Sequence, residues 1–292
     1  MTGIHFDQLM PDDRRRQKIF EGDIFIYSPS AASMSLCQLT RTLLTEAFGP
    51  HAAQTAQDFI SPDDYVELLA DLRPSYTSHP RVRSLIKETL IHLGLDSDDT
   101  YLKQPDLRAM TSGLLNAGPG LLLEAHRDTW YADPFSQINW WMPIFDYTTE
   151  SGMEFYPDYF TKGIENDSEF YDLREWRASG MAQAAKRKER VAGDNSMARE
   201  KPNTSSDLRI VMPPGAIMLF SAAHLHATTP NTSRKTRFSI DFRTVNVQDV
   251  ISGASADNVD TAARGSTLGD FSRLSDGSKL RPDKLKNKIE EV

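Results

Sequence analysis

The sequence predicts a helical N-terminal part followed by a core built mainly of β-strands. To about residue 104, apolar residues recur at helical spacing in segments bounded by helix-capping residues. From about residue 107, the apolar runs are short and separated by Gly, Pro and Asn, which is typical of strands and turns. The run from Lys235 to Val245 alternates apolar and polar residues, as a half-buried strand does.

Three helices are predicted in the first part, after a short strand at Asp23–Tyr27. One runs from about Ala32 to Phe48. A second begins at Ser61-Pro62, because serine is a favourable N-cap and proline fits the first helical position. A third spans roughly Pro80 to Leu93, and Gly94 suits the left-handed residue that ends a helix. We expect these helices to cover one face of a sheet.

Strands are predicted in the core as short apolar segments, with Pro143 placed at a strand end, an edge or a bulge. The predicted strands are Ile138–Phe145, Leu208–Met212, Ala216–Phe220 and Lys235–Val245. Residues of about 158–207 are polar and charged and are interpreted as an insertion, partly helical from about Asp172 to Lys188. Its basic run, Lys186–Arg190, indicates a solvated helix face, with a lid or an anion-binding patch as the alternative.

Residues 1–250 are expected to form a single domain, followed by a flexible tail at 251–292 with a short helix at Asp283–Glu290. The formal charge of −8 argues against nucleic acid as a general partner. The single cysteine, Cys37, excludes an internal disulfide and fits a core residue better than a reactive thiol. No secretory signal and no membrane span are recognised, so we expect a cytoplasmic protein, with peripheral membrane contact left open.

A His-x-Asp pair, His126 and Asp128, follows an apolar run that ends at Ala125. Side chains two residues apart on an extended segment share a face, so an imidazole and a carboxylate lie side by side. A second imidazole from a distant strand would complete a face of three ligands and leave the other positions of an octahedral metal open. His224 and His226 compete for this role, because both lie on one face of their segment.

Arg237 follows His226 by eleven residues, and its planar guanidinium can hold a carboxylate through two parallel hydrogen bonds. The spacing of Asn231, Ser233 and Arg237 favours His226 over His224 as the distal ligand. Without this downstream segment, the His-x-Asp pair would be equally compatible with a surface position at a strand end. The preferred metal ligands are His126, Asp128 and His226, with His224 kept as the alternative to His226.

These segments resemble the phytanoyl-CoA dioxygenase-like branch of the Fe(II)/2-oxoglutarate-dependent dioxygenases. The resemblance covers roughly residues 107–157 and 208–245, and rests on His126-Arg-Asp128, Trp140-Trp141, Glu150-Ser-Gly152, Tyr156-Pro157, Pro214-Gly215 through Phe220, His226 and Arg237. It implies a double-stranded β-helix, a jelly-roll or cupin-like core, flanked by helices. It also implies Fe(II) on the three predicted ligands, 2-oxoglutarate and O2 as co-substrates, and Arg237 on the far carboxylate of 2-oxoglutarate.

Three further residues are candidates for the 2-oxoglutarate pocket. Thr228 stands where the family often has a hydroxyl group near the co-substrate. Asn139 and Trp141 face one way on their predicted strand, although a simple core role for the tryptophan is an equal alternative. The candidate substrate contacts, each with packing or solvation as the alternative, are Arg127, Trp130, Tyr131 and Arg243.

The resemblance implies hydroxylation of an unactivated C–H bond, with release of succinate and CO2. Asp128 favours this outcome, since related halogenases have a small residue at this position; desaturation and ring formation stay open. The aromatic stretch from Trp130 to Phe160 is similar to that of bacterial hydroxylases of the sugar 3-deoxy-manno-octulosonate (Kdo), so the expected substrate is a small molecule or a lipid-linked sugar. The alternative is a cupin-like metal-binding module or isomerase, which would not need Arg237.

Overall fold

The computed structural model describes residues 2–114, 124–180, 196–283 and 285. The helices are α1 (Asp12–Phe20), α2 (Ala31–Phe48), α3 (Pro62–Ser78), α4 (Pro80–His92), α5 (Leu173–Glu175) and α6 (Val247–Ser252). The strands are β1 (Ile4–Phe6), β2 (Ile24–Tyr27), β3 (Thr100–Met110), β4 (Ile138–Pro143), β5 (Met153–Phe155), β6 (Leu208–Arg209), β7 (Ile217–Ser221), β8 (His226–Thr228), β9 (Arg237–Asn246) and β10 (Ser272–Arg273).

The strands form a larger sheet and a smaller one. The larger sheet has the order β1-β2-β7-β4-β9-β3-β10, and the smaller has the order β6-β5-β8. Strand β4 lies between β7 and β9 in antiparallel pairing, with Trp140 opposite Leu219 on one side and Phe242 on the other. In the smaller sheet, Phe155 of β5 lies opposite His226 of β8. The strand order alone does not establish a double-stranded β-helix, which therefore stays a prediction.

Helices α2, α3 and α4 pack on one face of the larger sheet, as predicted. Leu36 of α2, Leu69 of α3 and Ile86 of α4 join one apolar cluster with Phe238 and Phe242 of β9, and all five are buried. Because side chains alternate along a strand, the polar residues of β9 point to the opposite face. That face is turned toward the smaller sheet, and this arrangement places charged side chains between the sheets.

The sequence located the helices closely because their ends are determined locally. The α3 N-cap, Ser61, accepts a hydrogen bond from the backbone N–H of Asp64, and Gly94 has a positive φ of 84° after α4. Pro143 is the last residue of β4, opposite Ser239. Helix α1 was not predicted, and β3 begins at residue 100, within the stretch expected to be mainly helical.

Residues 251–283, the described part of the predicted tail, pack against the rest of the domain. Phe271 is fully buried, and β10 pairs with β3 through Arg273 and Tyr101. The polar composition of this segment is explained by ion pairs with the domain, such as that of Asp260 with Arg127. The predicted terminal helix at 283–290 and the basic run at 186–190 lie almost wholly outside the described residues. No helix in the described ranges has the length and apolar character needed to cross a membrane.

Candidate metal centre

The three predicted ligands converge on one point between the sheets. The donor atoms of His126, Asp128 and His226 all lie within 4.8 Å of one another. The Oδ1 atom of Asp128 is 3.7 Å from Nε2 of His126 and 4.0 Å from Nε2 of His226. The backbones of the two histidines exchange hydrogen bonds of 2.9 and 3.0 Å, so an antiparallel bridge holds their imidazoles side by side.

Both imidazoles are oriented for metal binding by the backbone. The Nδ1 atom of His126 lies 2.9 Å from the carbonyl oxygen of Glu124, and that of His226 lies 3.0 Å from the carbonyl oxygen of His224. A carbonyl oxygen can only accept, so Nδ1 carries the proton and the lone pair of Nε2 is directed to the cluster. Burial lowers the pKa of His126 to about 3 and also lowers that of His226, which keeps both rings neutral.

Asp128 is kept ionised although it is buried. Burial disfavours its charged form, but the cation of Arg243 and the hydrogen bond from Asn139 favour that form and hold the pKa of Asp128 below its usual range. The side chain of Asn139 donates to Oδ2 of Asp128 at 2.7 Å, and Gln137 donates in turn to the Asn139 amide oxygen at 2.9 Å. Two neutral nitrogen donors and one carboxylate, each oriented by a neighbour, fit a divalent transition metal with open coordination positions.

His224 lies outside the cluster. Its Nε2 atom is 3.1 Å from the carbonyl oxygen of Gly22, which joins the segment before β8 to the start of β2. Burial lowers its pKa to about 4, so this ring is neutral as well. The structure thus resolves the competition between His224 and His226 in favour of His226 as the residue beside Asp128.

A cavity opens beside the three donors. Arg237 lies in its wall, where Nε donates to the carbonyl oxygen of Ser151 at 3.0 Å and Nη1 donates to Oγ of Ser239 at 2.6 Å. Its guanidinium lies 5.5 Å from the ring centroid of Trp141. Burial lowers the pKa of Arg237 to about 10, so the group is still a cation at neutral pH and can pair with a carboxylate.

The other predicted 2-oxoglutarate contacts also line this cavity, as does Arg243. Asn139, Thr228 and Trp141 are among the residues of its wall. Sequence reasoning missed several lining residues, namely Arg108, Trp140, Met153, Phe220, Asp241 and Phe242. The alternation along β9 identifies Asp241 as a neighbour of Arg237 and Arg243, but nothing local to Arg108 indicates that β3 pairs with β9.

Three predicted substrate contacts do not line the cavity. Arg127 stands between two ligands that face the cavity, so alternation turns its side chain the other way, where it binds Asp260 and the carbonyl oxygen of Tyr159. Trp130 is fully buried and donates to Asp260 at 2.8 Å. Tyr131 presents its ring edge to His126 at 5.9 Å between centroids and is not among the lining residues. The structure therefore retains only Arg243 of these four candidates at the cavity wall.

No protein-family model matches the chain, and no curated protein matches its sequence. Among solved structures, it is similar to EvdO2 from Micromonospora carbonacea var. aurantiaca, with 14% identity, 82% of this chain and 93% of that chain covered, and a TM-score of 0.47. It is also similar to the non-haem α-ketoglutarate-dependent epimerase SnoN from nogalamycin biosynthesis, with 12% identity, 90% of this chain and 99% of that chain covered, and a TM-score of 0.41. A third similar structure is the non-haem monooxygenase ThoJ, with 14% identity, 89% of this chain and 90% of that chain covered, and a TM-score of 0.37. Similarity at this level carries no argument about activity, which must be inferred from the side chains.

Proposed function

We propose that this protein is a non-haem Fe(II)- and 2-oxoglutarate-dependent oxygenase with a double-stranded β-helix core. The observation that carries the proposal is the coincidence of two sites in one cavity. One is the cluster of His126, Asp128 and His226, whose donors are buried and already in their metal-binding protonation states. The other is Arg237, a buried cation in the same wall.

The residues of the chain would hold iron and 2-oxoglutarate in distinct ways. His126, Asp128 and His226 would bind one face of the metal, which supplies the activation of dioxygen when bound. Arg237 would bind the far carboxylate of 2-oxoglutarate, because in the described ranges Nη2 has no protein acceptor while Nε and Nη1 are fixed by Ser151 and Ser239. A guanidinium anchored in this way holds a carboxylate at a defined distance from the metal.

We propose hydroxylation as the reaction. One atom of dioxygen would enter a C–H bond of the substrate to give an alcohol, and the other would enter succinate as 2-oxoglutarate loses CO2. Asp128 supports this outcome, since it occupies the carboxylate position of the ligand set. The aromatic side chains of Trp141 and Phe220 in the cavity wall suit a small molecule or a lipid-linked sugar with a ring or chain to pack against them.

Succinate formation from 2-oxoglutarate tests the proposal. The purified protein with Fe(II) and ascorbate should form succinate slowly without added substrate. His226→Ala should abolish this turnover, whereas Arg237→Gln should raise the 2-oxoglutarate concentration needed for half-maximal rate by at least about tenfold, as loss of a charge-assisted contact does. Arg177→Gln, at an exposed arginine far from the cavity, is the matched control.

A metal-binding module or isomerase predicts a different result. Such a protein would bind a divalent metal through His126, Asp128 and His226 but would form no succinate, and 2-oxoglutarate would not alter the metal's spectrum. This pattern in the wild-type protein would contradict the oxygenase proposal.

A further inference from the structure

A second cationic group faces the metal cluster from the same strand as Arg237. Arg243 follows Arg237 by six residues on β9, so their side chains share a face and their Cα atoms are roughly 20 Å apart. Arg243 lies opposite Asn139, the residue that donates to Asp128, whereas Arg237 lies over Trp141. The two arginines therefore flank the cavity, with Arg243 at the level of the metal carboxylate.

Arg243 uses little of its hydrogen-bonding capacity within the protein. Of the five N–H donors in a guanidinium, one is engaged: Nη1 donates to Oδ2 of Asp106 at 3.1 Å, and no other acceptor is found among residues 2–114, 124–180 and 196–283. The Asp106 side chain is 58% exposed and that of Arg243 is 14% exposed. A pair with one well-solvated member contributes about 1 kcal/mol or less, so a ligand carboxylate can replace it.

The other cation in this wall is already neutralised. Arg108 lies on β3 opposite Ser239, and its guanidinium forms an ion pair with the carboxylate of Asp241. Asp241 follows Ser239 on the same face of β9, and Ser239 donates to it at 3.3 Å. Arg108 and Asp241 together thus add no net charge to the cavity.

With iron and 2-oxoglutarate bound, the charged residues that line the cavity would leave one positive charge over. Iron would contribute two positive charges, which Asp128 would reduce to one, and 2-oxoglutarate would contribute two negative charges, which Arg237 would reduce to one. The net charge of iron with Asp128 would then cancel that of 2-oxoglutarate with Arg237. The ion pair of Arg108 and Asp241 has no net charge. Among the lining residues, one positive charge would remain, on Arg243, whose ion-pair partner Asp106 is largely exposed and does not line the cavity.

We propose that Arg243 binds a carboxylate of the primary substrate, which makes the substrate an organic monoacid with an apolar or aromatic body. This inference rests on the proposed oxygenase function, and it adds a substrate class and a specificity residue. A carboxylate matches the single positive charge of Arg243 and the planar fork of its guanidinium, whereas a phosphate dianion would leave excess negative charge in the cavity. Asp106 would then occupy the substrate's position on Arg243 until the acid displaces it.

Matched acid and amide probes test the inference by calorimetry. Phenylacetate and phenylacetamide have the same shape and differ in charge, and each would be titrated into protein that holds Mn(II) and 2-oxoglutarate. The wild-type protein should bind the acid at least about tenfold more tightly than the amide. Arg243→Gln should reduce this ratio to about one. Asp106→Asn should tighten binding of the acid, because the competing carboxylate is removed.

Three outcomes would overturn the inference: no binding of phenylacetate, equal binding of acid and amide, or a preference that survives in Arg243→Gln. If Arg243→Gln does not fold, the Asp106→Asn variant provides the test. An affinity for phenylacetate equal to that of the wild-type protein would then contradict the inference. Tighter binding of inorganic phosphate than of phenylacetate would also overturn the inference. It would indicate that the substrate is a phosphate ester and not a carboxylic acid. Failure of the proposed oxygenase function would give a different result from failure of the inference about Arg243. In that case the wild-type protein would not bind 2-oxoglutarate, before any probe is added.

Discussion

At the scale of single residues, the position of Asp128 depends on amide groups that do not touch the metal themselves. Asn139 donates to Oδ2 of Asp128, and Gln137 donates both to Asn139 and, at 3.2 Å, to Asp133. Asp133 is held in turn by Lys103 at 2.7 Å. This chain of contacts fixes the carboxylate plane and leaves Oδ1 directed at the two imidazoles.

Asn139→Ala should weaken metal binding by about 10- to 100-fold, since partners that orient a metal ligand typically contribute that much. Competition titration with Co(II) and a chelator measures the affinity directly. Asn203→Ala, in an exposed segment away from the cavity, is the control. Equal Co(II) affinities of Asn139→Ala and wild-type protein would show that Asp128 does not depend on this amide.

At the scale of elements, a buried ion pair joins the ligand segment to the C-terminal segment. The Arg127 side chain is 1% exposed, and its Nε lies 3.0 Å from Oδ1 of Asp260, which also accepts from Trp130. The same guanidinium donates to the carbonyl oxygen of Ala223, just before the segment that carries His226. Residues 251–283 therefore support both histidine ligands through one side chain.

Asp260→Asn should destabilise the protein by about 3–5 kcal/mol, because it leaves the Arg127 charge buried without its partner. The midpoint and slope of urea unfolding give this free energy. Asp270→Asn removes the partner of Arg177 in an exposed ion pair and should cost about 1 kcal/mol or less. A similar small loss for both variants would mean that the Arg127 pair contributes little to the fold.

Local sequence signals predicted helices α2, α3 and α4 and the residues that form the cluster of His126, Asp128 and His226, and non-local pairing determined what they missed. The ends of α3 and the shared face of the His-x-Asp pair are determined by residues close in sequence. Both can therefore be recognised from the sequence alone. Arg108 enters the cavity only because β3 pairs with β9, in a register that shifts between Lys103 and Asp106. Arg127 turns away from the cavity toward Asp260, which follows it by 133 residues.

At the scale of the whole molecule, buried neutral histidines make stability depend on pH. In the unfolded chain His224 has an ordinary pKa of about 6.5 and takes up a proton below that pH, whereas burial lowers its folded pKa to about 4. The unfolded state then binds more protons, so stability is full above about pH 6.5 and is lost as the pH falls. His126 and His226 shift in the same direction.

Between about pH 7.5 and 5, the metal-free protein should lose about 2 kcal/mol of unfolding free energy through His224 alone. His224→Gln should remove that part of the pH dependence and can keep a donor to the carbonyl oxygen of Gly22. Urea unfolding of both proteins at the two pH values measures the difference. An identical pH dependence in wild-type protein and His224→Gln would contradict a neutral, buried His224.

The central claim is that one cavity binds iron and 2-oxoglutarate together, and anaerobic absorption spectroscopy tests it most directly. Addition of 2-oxoglutarate to the Fe(II)-loaded protein should produce a visible metal-to-ligand charge-transfer band at one equivalent. The band should be absent in His226→Ala and present in His224→Gln, because only His226 lies in the cluster. A wild-type protein that binds Fe(II) but shows no band with 2-oxoglutarate would contradict the claim and leave a metal-binding module in its place.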